Sequence, residues 1–242
     1  MKKSLFLWLI FFLSPFFLKA QDDVMGTPKE AFQRPNYDTI QKMMTENPNL
    51  YPSIEARFLR PDFSLTEEEI NIFYYGKIFR DDYSPYHSIE WPKNIKQILY
   101  SENPKFPKKS LLKKELKNIN KALADYPVSL EGYFIKYIIC IGLYGDTSEE
   151  VESSMYQLLF LLRTIARTGD GTSMGSSIHV THVSDEHTIM RMMGFSWKKQ
   201  SLLGNEGQYY DRFELDENEN ELEELFFNIT PCYNALNKLF SE

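Results

Sequence analysis

The chain has 242 residues, 43% of them hydrophobic and 15% aromatic, with 34 acidic against 27 basic side chains. That composition supplies a core and excludes a disordered polyelectrolyte. The acidic surplus excludes nucleic acid and anionic lipid as natural partners, because phosphate recognition needs a basic face.

Lys2 and Lys3 precede an apolar run from Leu5 to Leu18, and Ala20 offers a small residue for cleavage before Gln21. This pattern predicts a signal peptide over residues 1–20 and an exported protein, whether periplasmic, at the cell surface or secreted. Ser14 and Pro15 interrupt the run, which falls short of the roughly 17–25 residues of a membrane span. No stable membrane span is therefore expected once the signal is removed. Cleavage removes three lysines and leaves 24 basic against 34 acidic groups, a net charge of −10.

Residues 21–35 read as a polar arm and residues 36–242 as one α+β domain. Its helical part runs over 36–168 as an antiparallel layer, and a small antiparallel sheet with a short closing helix fills 176–242. Tyr37–Thr45 predicts a short helix closed by Asn47-Pro48. Thr66 followed by Glu69 is a capping box that opens a helix carrying Ile70, Phe73, Tyr74 and Lys77. Tyr83-Ser84-Pro85-Tyr86 is a turn.

Ser110 is placed to cap a helix striped by Leu112, Leu116, Ile119 and Leu123, which Tyr126-Pro127 stops. Ser129 caps a second helix, Leu130–Leu143, apolar on most sides and so expected to be buried. Gly145 ends it, and Thr147 with Glu150 opens a third helix reaching Arg167, with Tyr156, Leu159, Phe160 and Ile165 facing inward. The stretch ALADYPVSLEGYFIKYIICIGLYGDTSEE resembles a tetratricopeptide-type helical hairpin, although no second repeat at that period follows. Beyond Gly175, Ile178–Val183 predicts a strand, Ser184-Asp185 a helix cap and Glu186–Met193 a short helix. Trp197–Leu203, Gln208–Leu215 and Leu225–Ile229 predict strands, and Tyr233–Phe240 a last helix.

The segment Arg167–Phe195 concentrates the chemistry. It holds His179, His182 and His187, the acids Asp170, Asp185 and Glu186, and three closely spaced glycines. His179 and His182 stand three apart on a predicted strand, so they point to opposite faces and no metal site is expected. One histidine is expected in the core and two at the surface. The run Gly169–Gly175 lacks the lysine of a phosphate loop and leaves a helix rather than a strand; Gly169 as a left-handed cap and Asp170 as a turn residue account for it.

Catalytic candidates for an exported hydrolase are Asp170, His179, His182, Asp185 and Glu186. No Gly-x-Ser-x-Gly elbow supports them. Tyr83 and Tyr86, on the proline turn, are candidates for stacking on a sugar ring or anchoring a protein. Cys140 and Cys232 read as buried thiols without an activating neighbour.

Several pieces together resemble the domain-of-unknown-function-4919 family of exported proteins from Bacteroides-type bacteria. They are Arg57-Phe58, Asp62, Leu65-Thr66 and Glu68-Glu69, then Tyr74-Tyr75-Gly76 and Tyr83…Pro85-Tyr86. Gly169-Asp170-Gly171, Ile178-His179-Val180, Val183-Ser184-Asp185-Glu186 and Phe226-Phe227-Asn228-Ile229 continue the match. The chain departs from that pattern at His187, where a tyrosine is expected. The resemblance implies an exported globular protein and no particular reaction. The expectation is thus an exported, non-enzymatic binding module without a cofactor, for a protein or carbohydrate ligand. The alternative is an exported hydrolase with its site around Asp170–His187.

Overall fold

A computed structural model describes residues 32–99 and 105–241; the expected signal peptide and most of the expected polar arm lie outside them. Among the described residues the order is α1 (Tyr37–Glu46), α2 (Leu50–Leu59), α3 (Glu67–Gly76), α4 (Lys93–Leu99), α5 (Lys109–Asp125), α6 (Leu130–Tyr144) and α7 (Glu149–Ala166). The chain continues with β1 (Ile178–His179), α8 (Val183–Met192), β2 (Trp197–Asn205), β3 (Gln208–Leu215), β4 (Glu224–Asn228) and α9 (Thr230–Ser241). This is the α+β architecture that the run of helical periods followed by alternating strands predicts.

Helix α3 organises the helical half. Its capping box forms as the sequence predicts: Thr66 Oγ1 accepts from the Glu69 amide at 3.2 Å, and Glu69 Oε2 accepts from the Thr66 amide at 2.8 Å. Arg57 reaches across from α2 to bond both Asp62, at 2.8 Å, and Glu69. From Ile70 to Gly76 only Asn71 is not buried, so α3 lies inside the helical layer rather than on it. Phe73 packs on Phe58 and Tyr51, with ring centroids 4.7 and 5.7 Å away. Helix α6 is the second interior helix, started by the Ser129 hydroxyl on the Gly132 amide at 3.0 Å.

The four strands form one sheet in the order β1-β4-β3-β2. Strands β2, β3 and β4 are antiparallel neighbours, whereas β1 pairs in parallel with β4, Ile178 opposite Phe227 and His179 opposite Asn228. The sheet is therefore mixed: β1 arrives from the helical layer, and nothing in its two residues marks its direction. Glu206 (φ 51°) and Gly207 (φ 76°) make the two-residue turn between β2 and β3, both in the left-handed region such hairpins require. One continuous apolar core runs from Ile40 in α1 to Cys232 in α9.

Several local expectations are corrected. Helices α2 and α4 have no counterpart in the sequence reading. Helix α5 begins after Lys108, so Ser110 is not its cap, and α7 is capped by Ser148, whose hydroxyl accepts from the Val151 amide at 3.3 Å. The inward face of α7 is Leu158, Leu161, Leu162 and Ile165, while Tyr156, Leu159 and Phe160 are half-buried. The strand expected over Ile178–Val183 stops at His179, and α8 begins at Val183 with His182 in the cap position. Ser184 does not cap it; its hydroxyl donates to the His87 carbonyl at 3.2 Å. Positive φ falls on Gly171 (74°) rather than on Gly169.

Candidate functional site

The short span from β1 to α8 drives the histidine segment into the protein. His182 is 2% exposed and Asp185 and Glu186 are 0% exposed. One helical turn separates His182 from Asp185, which brings the His182 Nδ1 within 3.5 Å of Asp185 Oδ2. The same nitrogen lies 2.9 Å from Thr181 Oγ1, and Nε2 meets the Tyr126 hydroxyl at the end of α5. Tyr74 enters from α3: its hydroxyl donates to Asp185 Oδ2 at 2.5 Å and accepts from the Thr181 amide at 3.3 Å. Burial and the neighbouring Asp185 raise the Tyr74 phenol well above its ordinary range, so it stays a donor.

A second acid cluster adjoins the first. Glu186 on α8 and Asp211 on β3 are both buried, and Asp211 is near enough for its charge to act on the Glu186 carboxyl. Neither Glu186 oxygen has a hydrogen-bond partner, whereas Asp211 Oδ2 accepts from the Gln200 amide at 2.8 Å. Burial, then the Asp211 charge, raises the Glu186 carboxyl well above the carboxylate range. Both effects favour the protonated form of Glu186.

The remaining candidates do not join these clusters. Asp170 serves its own turn, accepting from the Thr172 amide at 2.9 Å and the Thr172 hydroxyl at 2.8 Å. His179 is 8% exposed on β1, where its amide donates to Thr168 Oγ1 at 2.8 Å and its carbonyl accepts from Tyr75 at 3.0 Å. Burial, and next the Arg34 charge, lowers its imidazole to about 4. His187 is half-buried and stacks on Trp197, ring centroids 5.4 Å apart. Two histidines are therefore interior and one is partly covered, which corrects the expected one-to-two division. Among the described residues no group of three or more His, Cys, Asp or Glu side chains has metal-binding geometry.

The tyrosines of the turn divide as well. The Tyr83 hydroxyl donates inward to the Thr181 carbonyl at 2.7 Å, whereas Tyr86 is 51% exposed. Two surface clefts, of about 680 and 320 Å³, open at the β3–β4 turn and beside Arg34 and Arg167, and none of the candidate residues lines either. The first carries the acid run of the hairpin, where Arg212 pairs with Glu224 and with Glu214 at 3.5 Å.

Sequence reading missed Tyr74, Tyr126, Thr181 and Asp211. Tyr74 and Tyr126 read as core and as a helix stop, both true and both incomplete. Asp211 carried a usable signal: it alternates with Tyr209, Phe213 and Leu215 on the covered face of β3, an acid where the period predicts an apolar side chain.

The histidine segment, the Tyr74-Tyr75-Gly76 helix end and the Phe226–Ile229 strand thus meet in one interior region. A family model described as a domain of unknown function, DUF4919, matches residues 38–238. The chain belongs to the DUF4919 family. The match spans both the helical layer and the sheet, so the DUF4919 unit includes Tyr74, Tyr126, Thr181, His182 and Asp185. Comparison with curated proteins and with solved structures found no match. Among the described residues no helix is long and apolar enough to cross a membrane.

Proposed function

We propose that this DUF4919 protein is an exported, non-catalytic binding module whose recognition surface centres on Tyr86. The leader-like residues 1–20 support export. The observation that carries the binding reading is the way the Tyr86 loop is held. Tyr83 is tied to the Thr181 carbonyl, the Val183 amide donates to the Pro85 carbonyl at 3.0 Å, and Tyr126 bonds the Ser84 carbonyl at 3.2 Å. Each anchor flanks Tyr86 while its ring stands half out of the surface. An aromatic ring fixed before contact loses little entropy on binding, which is how rigid anchors contribute to affinity. The ligand class is carbohydrate or protein, both of which stack on exposed tyrosine.

The hydrolase alternative draws on the line Asp185–His182–Tyr126, which orders an acid, an imidazole and a hydroxyl. Exposures of 0, 2 and 4% along that line leave a polymer no approach to it. The line instead joins α3, α5 and α8.

The test is a titration of defined oligosaccharides and candidate protein ligands against wild type and Tyr86→Ala. The expected result is a ligand whose Kd weakens about tenfold or more in the variant, the range of a hot-spot residue, with the unfolding midpoint unchanged. Turnover of any polymer that His182→Gln abolishes in a folded protein would replace this reading with the hydrolase.

A further inference from the structure

Among the described residues, strand β2 ends the sheet, with β3 along one edge and no strand along the other. Its phase along β3 decides which backbone groups face the open side. The Ile229 amide donates to the Tyr209 carbonyl at 2.9 Å, so Tyr209, Asp211 and Phe213 turn their backbone groups toward β4. Tyr210, Arg212 and Glu214 therefore bond their partners on β2, which are Leu203, Ser201 and Lys199. Gln200, Leu202 and Gly204 alternate with those partners and turn their amides and carbonyls outward. All three are exposed, Leu202 to 52%, and among the described residues no backbone group outside the sheet bonds them.

An open edge is a template for another strand, and proteins blunt such edges with lysines and bulges. Here both devices sit at one end. Lys198 is the extra residue of a bulge between Trp197 and Lys199. From Gln200 to Asn205 the edge carries no charge, no proline and no bulge.

We propose that β2 pairs antiparallel with β2 of a second copy of this chain, about a two-fold axis at Leu202. The strand itself sets this register. Lys199–Asn205 is the regular stretch beyond the bulge, and Leu202 is its midpoint. Pairing about that midpoint sets Leu202 against the partner's Leu202 and Gln200 against the partner's Gly204. In each pair the outward backbone groups exchange both hydrogen bonds. The half-exposed leucines cover each other at the axis, as directly opposed side chains do. Just beyond the paired stretch, the exposed Lys198 comes opposite the partner's Glu206, and symmetry repeats the match at the other end. Moving the axis to Ser201 would set Lys198 against the partner's Gly204 and lose both matches. A lysine before the regular stretch and an acid after it thus make the edge complementary to itself, which is what an isologous contact requires.

The test is sedimentation velocity over a concentration series, on residues 21–242, the mature chain that the proposed export leaves. Wild type should reach the mass of two chains. Leu202→Pro removes an amide that points away from β3, so it spares the β2–β3 ladder and should abolish the dimer. A charge exchange checks the register without touching the backbone ladder. Glu206→Lys sets like charges opposite each other and should weaken the dimer about tenfold, and adding Lys198→Glu should restore it. This pair of variants decides the question if Leu202→Pro fails to fold. Wild type that stays at the mass of one chain throughout would overturn the proposal. So would a dimer that survives Leu202→Pro in a folded chain, or one that Glu206→Lys leaves as tight as wild type.

Discussion

The Tyr74 hydroxyl donates to Asp185 at 2.5 Å, joining positions 111 residues apart and tying the innermost helix of the layer to α8. Tyr74→Phe keeps the ring and its packing but leaves Asp185 Oδ2 and the Thr181 amide each short of a partner. Loss of such a buried bond costs about 1–3 kcal/mol. Urea unfolding should show a lowered midpoint with an unchanged slope, the mark of a stability change without a change in the exposed surface. A shift within error would mean the hydroxyl carries no structural role.

The His179 imidazole, lowered to about 4 by burial and then by Arg34, makes the fold sensitive to mild acid. An unfolded histidine takes up its proton near 6.5, so the folded protein resists protonation that the unfolded chain accepts. This contribution is fully present above about pH 6.5 and is lost as pH falls toward 4, on the order of 3 kcal/mol in all. Thermal unfolding across that interval should steepen in wild type and flatten in His179→Gln. Parallel curves for the two proteins would contradict the assignment.

How much of this the sequence carries depends on the range of the interaction involved. The capping box at Thr66 and Glu69, the Ser129 cap and the β2–β3 strands are written in neighbouring residues, and the structure forms all of them. The histidine segment fails for the opposite reason. Its β-branched residues predict a longer strand, but Thr181 and His182 are claimed by Tyr83, Tyr74 and Tyr126, and those tertiary bonds end β1 at His179. The parallel partnership of β1 with β4 joins segments about fifty residues apart in sequence and has no local marker. Asp170 was legible as a turn residue because its bonds reach only two residues ahead.

Thr66→Ala and Ser110→Ala form a matched pair. Thr66→Ala removes the hydroxyl that accepts from the Glu69 amide while the Thr66 amide keeps its bond to Glu69, and the loss should cost about 1 kcal/mol. Ser110 lies inside α5 and is exposed, so its replacement should stay within about 0.5 kcal/mol. Equal losses in chemical denaturation would show that the cap assignment at one of the two helices is wrong.

Gly171 combines a φ of 74° with an approach that leaves no room for a side chain: an added Cβ would lie 2.7 Å from Leu225 Cδ1 and 3.2 Å from Ile178 Cδ1. Its carbonyl also accepts from the Phe226 amide at 2.8 Å, beside β4. Gly171→Ala should therefore cost roughly 1–3 kcal/mol through backbone strain alone, with the clash added to it. Gly207→Ala meets the same strained φ with open space around it, and should cost less. Thermal midpoints that rank the two variants the other way would argue against the tight packing at Gly171.

In the proposed binding module the histidine–acid set is an enclosed network rather than a working site. Hydrogen exchange at the His182 ring carbon, followed by mass spectrometry over a range of pH, reads this most directly because the rate depends on solvent access to that imidazole. The predicted result is exchange far slower than at the half-buried His187 and His87, with Tyr126→Phe accelerating it. Exchange at His182 as fast as in an unfolded peptide would show that solvent reaches the ring in the native protein, and would contradict the enclosed network.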